Sequence, residues 1–185
     1  MRIPHYFIAI PLQNSLKRYF ANWSEQLKKH VSYKQWTDEQ DLHITLKFLG
    51  GVNPSQLSKL NEQLKSMELP SAFSTIVGSL GTFGKPSKPR VLWVGVHKND
   101  QLVVLQQRIE VCASEVGFPK ETRTYRPHIT LAKKWNGSPD YEKIIEIKEN
   151  YRGVKQMMPI NELVIYRIHP RQIPKYERVL TYDLK

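Results

Sequence analysis

The tetrapeptide HITL occurs twice in this 185-residue chain, at residues 43–46 and at residues 128–131. The two copies are 85 residues apart, and the same offset relates the sequence upstream of them. The apolar run YFIAI at 6–10 falls on VLWVG at 91–95. We therefore interpret the chain as an internal repeat in which each half contains one HITL segment.

Each half predicts the same order of elements: a strand, a helix, a strand with HITL, a second helix, and one or two strands. The expected elements span 5–10, 14–29, 43–49, 54–66 and 72–80, and then 90–97, 101–116, 128–133, 139–149 and 158–168. Asn53-Pro54 and Ser138-Pro139 each place an N-cap residue before a proline, which is typical of a helix start. The turn-rich segment GKPSKP at 84–89 is the expected crossing between the halves.

Two similar halves, each with one motif strand, are expected to pack about a pseudo-twofold axis with both strands lining one groove. The predicted fold class is α+β, with residues 1–185 as a single domain and repeats of approximately 1–84 and 85–185. No apolar run approaches the roughly 20 residues of a membrane span, and the first residues lack the long apolar core that is expected of a signal peptide. We expect a cytoplasmic protein without membrane contact.

The formal net charge of +11 favours contact with a polyanion such as a nucleic acid. The charge is unevenly placed. Residues 120–134 contain five bases and one acid, whereas residues 34–47 contain two bases and three acids. Cys112 is the only cysteine, so neither an intramolecular disulfide nor a cysteine metal cluster is expected.

The HITL segments have the residue types that acid–base chemistry on a phosphate needs. Alternation along a strand puts His43 with Thr45, and His128 with Thr130, on the face opposite the isoleucine and leucine. Opening a cyclic phosphodiester needs one base for the water and one acid for the leaving ribose oxygen, so two imidazoles suffice. The hydroxyls can donate to the phosphate oxygens. We expect no cofactor and no metal, because a threonine hydroxyl is a poor zinc ligand.

A single His-x-Thr on a strand is commonplace and is usually structural. Two copies within a repeat favour function, because a duplicated polar pair without a packing role has no structural reason to persist.

The chain resembles the two-histidine phosphoesterases, specifically the bacterial RNA 2′,3′-cyclic phosphodiesterases formerly called 2′-5′ RNA ligases. The resemblance rests on HITLKFLG at 43–50 and RPHITLA at 126–132, with support from 6–10 and 91–95, and it covers nearly the whole chain. It implies a bilobal fold with antiparallel-rich sheets lining a central groove and helices outside. It also implies opening of RNA 2′,3′-cyclic phosphate ends to 2′-phosphates, with a reversible ligase activity, by a protein that we expect to be monomeric.

In such enzymes the first-motif histidine is the proton donor and the second is the acceptor, which assigns these roles to His43 and His128. The local charges of this chain agree with that assignment. Acids near His43 would favour its imidazolium form, and bases near His128 would favour its neutral form.

The repeat also nominates substrate-binding residues. Phe48 and Lys133 each follow a motif histidine by five residues, so pseudo-symmetry predicts them on opposite sides of the groove, where a base could stack between them. Strict alternation would instead bury Phe48 in the core. Arg126 shares the parity of His128 and is expected to reach phosphate or neighbouring backbone, unless it is simply a solvated charge.

Other functions stay open at this point. A related enzyme of the same superfamily could act on ADP-ribose cyclic phosphate or on 2′-5′ oligoadenylates, or could mainly join RNA ends. A module that only binds RNA ends is a different class, although arginine or lysine would serve binding alone better than histidine does.

Overall fold

The computed structural model describes residues 3–185, and this part of the chain forms nine strands and four helices. The strands are β1 (His5–Pro11), β2 (Tyr33–Trp36), β3 (His43–Gly51), β4 (Phe73–Lys85), β5 (Lys88–Val96), β6 (His128–Trp135), β7 (Gln156–Ile160), β8 (Glu162–Ile168) and β9 (Tyr176–Asp183). The helices are α1 (Asn14–Leu27), α2 (Pro54–Ser66), α3 (Asp100–Glu115) and α4 (Tyr141–Asn150). The α+β class is confirmed. The segment 158–168, where one or two strands were expected, contains two strands, β7 and β8.

The strands of residues 3–185 form one antiparallel sheet in the order β7-β4-β5-β6-β3-β1-β8-β9, with β2 paired to β6. This order reads symmetrically from its centre, because β6-β5-β4-β7 on one side corresponds to β3-β1-β8-β9 on the other. The motif strands β3 and β6 are the central neighbours. They pair through Ile44 and Ile129 alone, so the two halves of the sheet meet at a narrow seam between the two HITL segments.

The two halves of the sheet are not the two halves of the sequence. The segment 84–89 lies in the hairpin that joins β4 to β5, which pair along their length. The expectation that this segment crosses between the halves is therefore wrong. The chain crosses from β3 to β4 through α2, and it crosses back at Asn161, so each half of the sheet contains strands from both repeats.

The link at Asn161 also requires the sheet to be strongly curved. This one residue separates β7 from β8, which lie six places apart in the sheet order. Six strand spacings in a flat sheet span about 29 Å, whereas a one-residue link spans about 7 Å. The two halves must therefore curl towards each other at this end.

One main hydrophobic core lies on the helix-covered face of the sheet and includes residues from both halves. Helix α1 follows β1 but packs against β6, and helix α3 follows β5 but packs against β3. Each of these helices therefore lies on the motif strand of the other half. This crossed packing holds the two motif strands together where their own pairing is shortest.

The helix starts were predicted with mixed success. Asn53 caps α2 as predicted, and its side chain accepts a hydrogen bond from Gln56 N at 2.9 Å. The start predicted at Pro139 is wrong by two residues, because the Asp140 carboxylate caps α4 by accepting from Lys143 N. Within residues 3–185, none of the helices has the length and apolar character that crossing a membrane requires.

Candidate active site

The alternation predicted for the motif strands is present in both of them. Ile44 and Leu46 are 0% and 3% exposed in the core, whereas His43 and Thr45 lie half-buried on the opposite face. The burial pattern of β6 is the same over its HITL segment. Both imidazoles and both hydroxyls therefore project from the face of the sheet that the helices leave uncovered. We call this face the groove face.

The seam places the two motifs opposite each other with two-fold symmetry. Because Ile44 pairs with Ile129 in an antiparallel register, His43 lies across from Thr130 and Thr45 lies across from His128. The two histidines are thus diagonal neighbours, and the Cα atoms of such neighbours are about 7–8 Å apart. This spacing leaves room for one phosphate group between the two imidazoles.

A β-bulge follows each His-x-Thr. The register between β1 and β3 skips Leu46, and the register between β5 and β6 skips Leu131. The extra residue at each bulge shifts the alternation of side chains by one position. Lys47 therefore points into the core, while Phe48 and Lys133 point outwards. Phe48 is 60% exposed, and the alternative that it packs in the core is wrong.

Phe48 and Lys133 occupy equivalent positions on the two motif strands. Each is the first outward-facing residue after the bulge of its strand. The stacking of a base between these two residues stays a prediction. Phe48 also has an aromatic neighbour, His5, at 6.2 Å between ring centroids.

Backbone carbonyls orient both catalytic candidates. The Nδ1–H of His43 donates to Asp41 O at 2.6 Å, and the Nδ1–H of His128 donates to Arg126 O at 2.7 Å. This fixes the tautomer and turns each Nε2 towards the groove. Nε2 of His43 is 3.0 Å from Thr45 Oγ1. The Arg126 carbonyl thus orients His128, while the contact of its exposed side chain with phosphate stays a prediction.

The environment lowers the pKa of both histidines. Burial, followed by the positive charges of Lys133, His128 and Lys17, lowers the pKa of His43 to about 4 against the opposing effect of the hydrogen bond to Asp41 O. The expectation that nearby acids favour the His43 imidazolium is wrong. The pKa of His128 is also lowered, by burial first and by Lys133 second, so the expected preference of His128 for its neutral form is confirmed with burial as the main cause.

The acid closest to His43 in sequence has a different role. The buried Asp41 carboxylate accepts hydrogen bonds from Lys175 N at 2.8 Å and from Tyr176 N at 3.1 Å. Asp41 thus has two contacts: its side chain binds the loop between β8 and β9, and its backbone carbonyl orients His43. The ring of Tyr176 packs edge-on against His43 at 5.3 Å, and the ring of Phe7 lies at 4.8 Å.

Two aromatic rings also pack against His128. Phe83 packs edge-on against it at 4.9 Å, and Trp93 lies at 6.0 Å. A Cβ on Gly81 would lie 1.9 Å from the Trp93 ring, so the indole occupies the space that only a glycine on β4 leaves free. Trp93 has no motif of its own in the sequence, and its strand register with Thr130 brings it to the groove.

The strand that carries His43 is fixed to the segment that leads into His128. Nζ of the buried Lys47 forms an ion pair with Glu110 of α3 at 2.8 Å and donates to Pro119 O at 2.9 Å. The hydroxyl of Tyr125 donates to Thr45 O at 3.1 Å. Removing one partner of such a buried pair costs about 3–5 kcal/mol, so these contacts hold the two motifs in a fixed relation.

Within residues 3–185, no three side chains of the histidine, cysteine, aspartate or glutamate type converge in a way that could hold a metal ion.

Comparisons with known proteins give a consistent match. The family model of the AKAP7 2′5′ RNA ligase-like domain matches residues 4–175. The chain is 33% identical over its whole length to an RNA 2′,3′-cyclic phosphodiesterase of Geobacillus stearothermophilus, of which it spans 58%. It is 33% identical over 98% of its length to the RNA 2′,3′-cyclic phosphodiesterase of Bacillus subtilis, of which it spans 97%.

A solved structure shares the fold over the full length. The crystal structure of LigT from E. coli, complexed with 3′-AMP, superposes with a TM-score of 0.80 at 21% identity, covering 100% of this chain and 99% of that one. The family model and the Bacillus subtilis relative decide the family, and the superposition shows the fold. The chain belongs to the two-histidine phosphoesterases, in the family of the LigT-like RNA 2′,3′-cyclic phosphodiesterases.

Proposed function

We propose that this protein hydrolyses 2′,3′-cyclic phosphate ends of RNA to 2′-phosphomonoesters, with His43 as the proton donor and His128 as the acceptor. The observation that carries the proposal is the seam, where each imidazole faces the other motif's threonine and both Nε2 atoms are turned towards one space. The two halves of the curled sheet act as two lobes on either side of that space. The names of the relatives support the choice of substrate.

Each residue has one task in the proposed reaction. Nε2 of His128 takes a proton from the attacking water, and the water oxygen bonds to phosphorus. The bond from phosphorus to the 3′ oxygen breaks, and Nε2 of His43 gives its proton to that oxygen. The hydroxyls of Thr45 and Thr130 donate to the non-bridging oxygens, where negative charge grows in the transition state. The same proton transfers give the 2′-5′ ligase activity when the 5′ hydroxyl of a second RNA attacks phosphorus in place of water, and their reversal cleaves the 2′-5′ linkage again.

Because the pKa values of His43 and His128 are both lowered, the free enzyme holds both imidazoles mainly neutral at pH 7. A cyclic phosphodiester brings one negative charge into a site surrounded by Lys133, Lys17 and the second imidazole. That charge favours the protonated form of His43 and raises its pKa in the complex. Substrate binding therefore favours protonation of His43, which supplies the proton that the leaving oxygen needs.

The pH profile of kcat/KM, which reports the free enzyme, should differ from the pH profile of kcat, which reports the complex with substrate. Since kcat/KM reports the free enzyme and both histidine pKa values are lowered there, its bell-shaped profile should have its maximum below pH 6.5, the ordinary histidine value. The profile of kcat should lie at higher pH, because bound phosphate raises both pKa values. Initial rates from pH 4 to 9 measure both profiles. Coincident profiles, or a kcat/KM maximum above 7, would contradict the account.

The activity itself is tested with an RNA oligonucleotide that ends in a 2′,3′-cyclic phosphate, incubated in EDTA. We expect complete conversion to the 2′-phosphate in chelator, because two imidazoles supply the acid and the base. The product isomer is identified against synthetic 2′- and 3′-phosphate standards. The His128→Ala variant, purified in the same way, controls for a contaminating nuclease. Loss of turnover in EDTA that a divalent ion restores would overturn the metal-independent mechanism.

A further inference from the structure

The segment before His128 has no regular secondary structure to hold it. Residues 116–127 join α3 to β6 as turns and irregular backbone. The carbonyl that orients His128 belongs to this segment, because the Nδ1–H of His128 donates to Arg126 O at 2.7 Å. Such a segment is more mobile than the elements it connects unless other contacts fix it. The position of Arg126 O therefore depends on what fixes residues 116–127.

Lys47 is at the centre of the contacts that fix this segment. Its ammonium group donates to Pro119 O at 2.9 Å and pairs with the Glu110 carboxylate at 2.8 Å. The same carboxylate oxygen accepts a hydrogen bond from Glu121 N at 3.3 Å. One buried ion pair between β3 and α3 thus attaches two backbone groups of the segment that leads into His128.

The internal repeat shows that the fold itself does not need this lysine. The residue 85 positions after Lys47 is Ala132, which follows the bulge of β6 as Lys47 follows the bulge of β3. Ala132 is 0% exposed, so an apolar residue fills the equivalent position in the core. A buried ion pair is often no more stabilising than apolar residues of similar volume. Stability alone therefore does not account for a charged group at position 47.

The segment before His43 is supported in other ways. It contains β2, which pairs with β6, and the Asp41 carboxylate binds two backbone amides of the loop between β8 and β9. Residues 116–127 contain no strand, and their one acid, Glu121, is exposed and pairs with Arg123. The lysine on β3 therefore gives the second segment the support that the first obtains from a strand and a buried carboxylate.

We propose that Lys47 is a positioning residue for His128. It holds residues 119–121 so that Arg126 O stays within reach of the Nδ1–H of His128. This contact keeps the proton on Nδ1 and leaves Nε2 free to accept a proton from water. The strand that carries one motif histidine thus fixes the tautomer of the other. The effect on catalysis rests on the proposed function, whereas the effect on the tautomer is observable in the protein without substrate.

The tautomers are measured by nitrogen NMR of the imidazole rings at pH 8, with the His43→Ala and His128→Ala variants to assign the signals. In the wild type, both rings should carry their proton on Nδ1. In Lys47→Met, His128 should show a mixture with the Nε2–H form, while His43 should keep the Nδ1–H form. On an RNA 2′,3′-cyclic phosphate, kcat should fall by roughly ten- to a hundredfold with KM nearly unchanged, because a displaced base is costly even at small displacements.

Two further variants separate positioning from a loss of stability. Lys47→Met leaves the largely buried Glu110 carboxylate without its partner, which destabilises the fold. Lys47→Met/Glu110→Leu removes both charges and so recovers stability, but it should still show the mixed tautomer of His128 and the lowered kcat. Lys143→Met is the matched control, because it breaks an exposed ion pair with Glu146 on α4, and it should behave as the wild type.

A pure Nδ1–H tautomer of His128 in the folded double variant would overturn the inference. An equal change of tautomer in His43 and His128 would also overturn it, because it would show a general loosening of the seam. Failure of the proposed function gives a different result, since the wild type would then not hydrolyse the RNA. The tautomer of His128 in the Lys47 variants still decides the inference in that case.

Discussion

Replacing His43 or His128 with alanine is expected to lower turnover of an RNA 2′,3′-cyclic phosphate by roughly 10²–10⁴, which is the contribution of one positioned acid or base. Both imidazoles act in the same transition state. The double variant should therefore lose much less than the product of the two single losses, because the second group has little to contribute once the first is absent.

The measurement is a double-variant cycle on kcat, with circular dichroism to show that each variant folds. His30→Ala is the matched control, because His30 is exposed after the end of α1, and it should keep wild-type turnover. Independent, multiplicative losses would mean that the two histidines act in separate steps. Loss in KM alone would mean that they only bind phosphate.

Replacing Thr45 or Thr130 with valine should lower kcat/KM by roughly ten- to a hundredfold. Valine keeps the shape of the side chain but removes one hydrogen bond to a charged oxygen, which is worth about 1.5–3 kcal/mol. The Thr45→Val variant should also change the pH profile, because Thr45 Oγ1 is the neighbour of His43 Nε2 at 3.0 Å. No such contact links Thr130 to a histidine among the hydrogen bonds of the described residues.

Steady-state kinetics of the two valine variants check this prediction. Thr181→Val is the matched control, because Thr181 is an exposed strand residue on β9, and it should leave kcat/KM unchanged. Wild-type kinetics of both motif variants would show that the hydroxyls do not contact the phosphate.

The sequence predicted what depends on local periodicity and on the repeat. The offset between the two HITL copies placed His43 and Thr45, and their counterparts on β6, on one exposed face of each strand. It also predicted the positions of most helices and strands. These features follow from the alternation of a strand and from helix caps, which a sequence displays directly.

The sequence did not predict what depends on distant pairing. The bulges at Leu46 and Leu131 change the parity of their strands, so strict alternation could not decide whether Phe48 is exposed. The 84–89 segment is rich in turn residues whether it joins two lobes or closes a hairpin, so its composition could not distinguish the two.

The charge around His43 was also beyond sequence reasoning. Acids at 38–41 were expected to stabilise its imidazolium, but the Asp41 carboxylate binds backbone amides at residues 175 and 176, which are more than 130 positions away. Lys175 and Tyr176 have no motif of their own and enter the site only through this contact. Burial then dominates the pKa of His43, and burial is a property of the packed fold.

The division of roles between His43 and His128 is tested most directly by a substrate whose leaving group needs no proton. A cyclic phosphate ester of 4-nitrocatechol has such a leaving oxygen, and its release can be followed by absorbance. We predict that this substrate largely restores turnover to His43→Ala, because the missing acid is no longer needed, and that it does not restore His128→Ala, because water still needs its base. Restored turnover in His128→Ala instead would reverse the two roles, and restored turnover in neither variant would contradict acid–base catalysis by this pair.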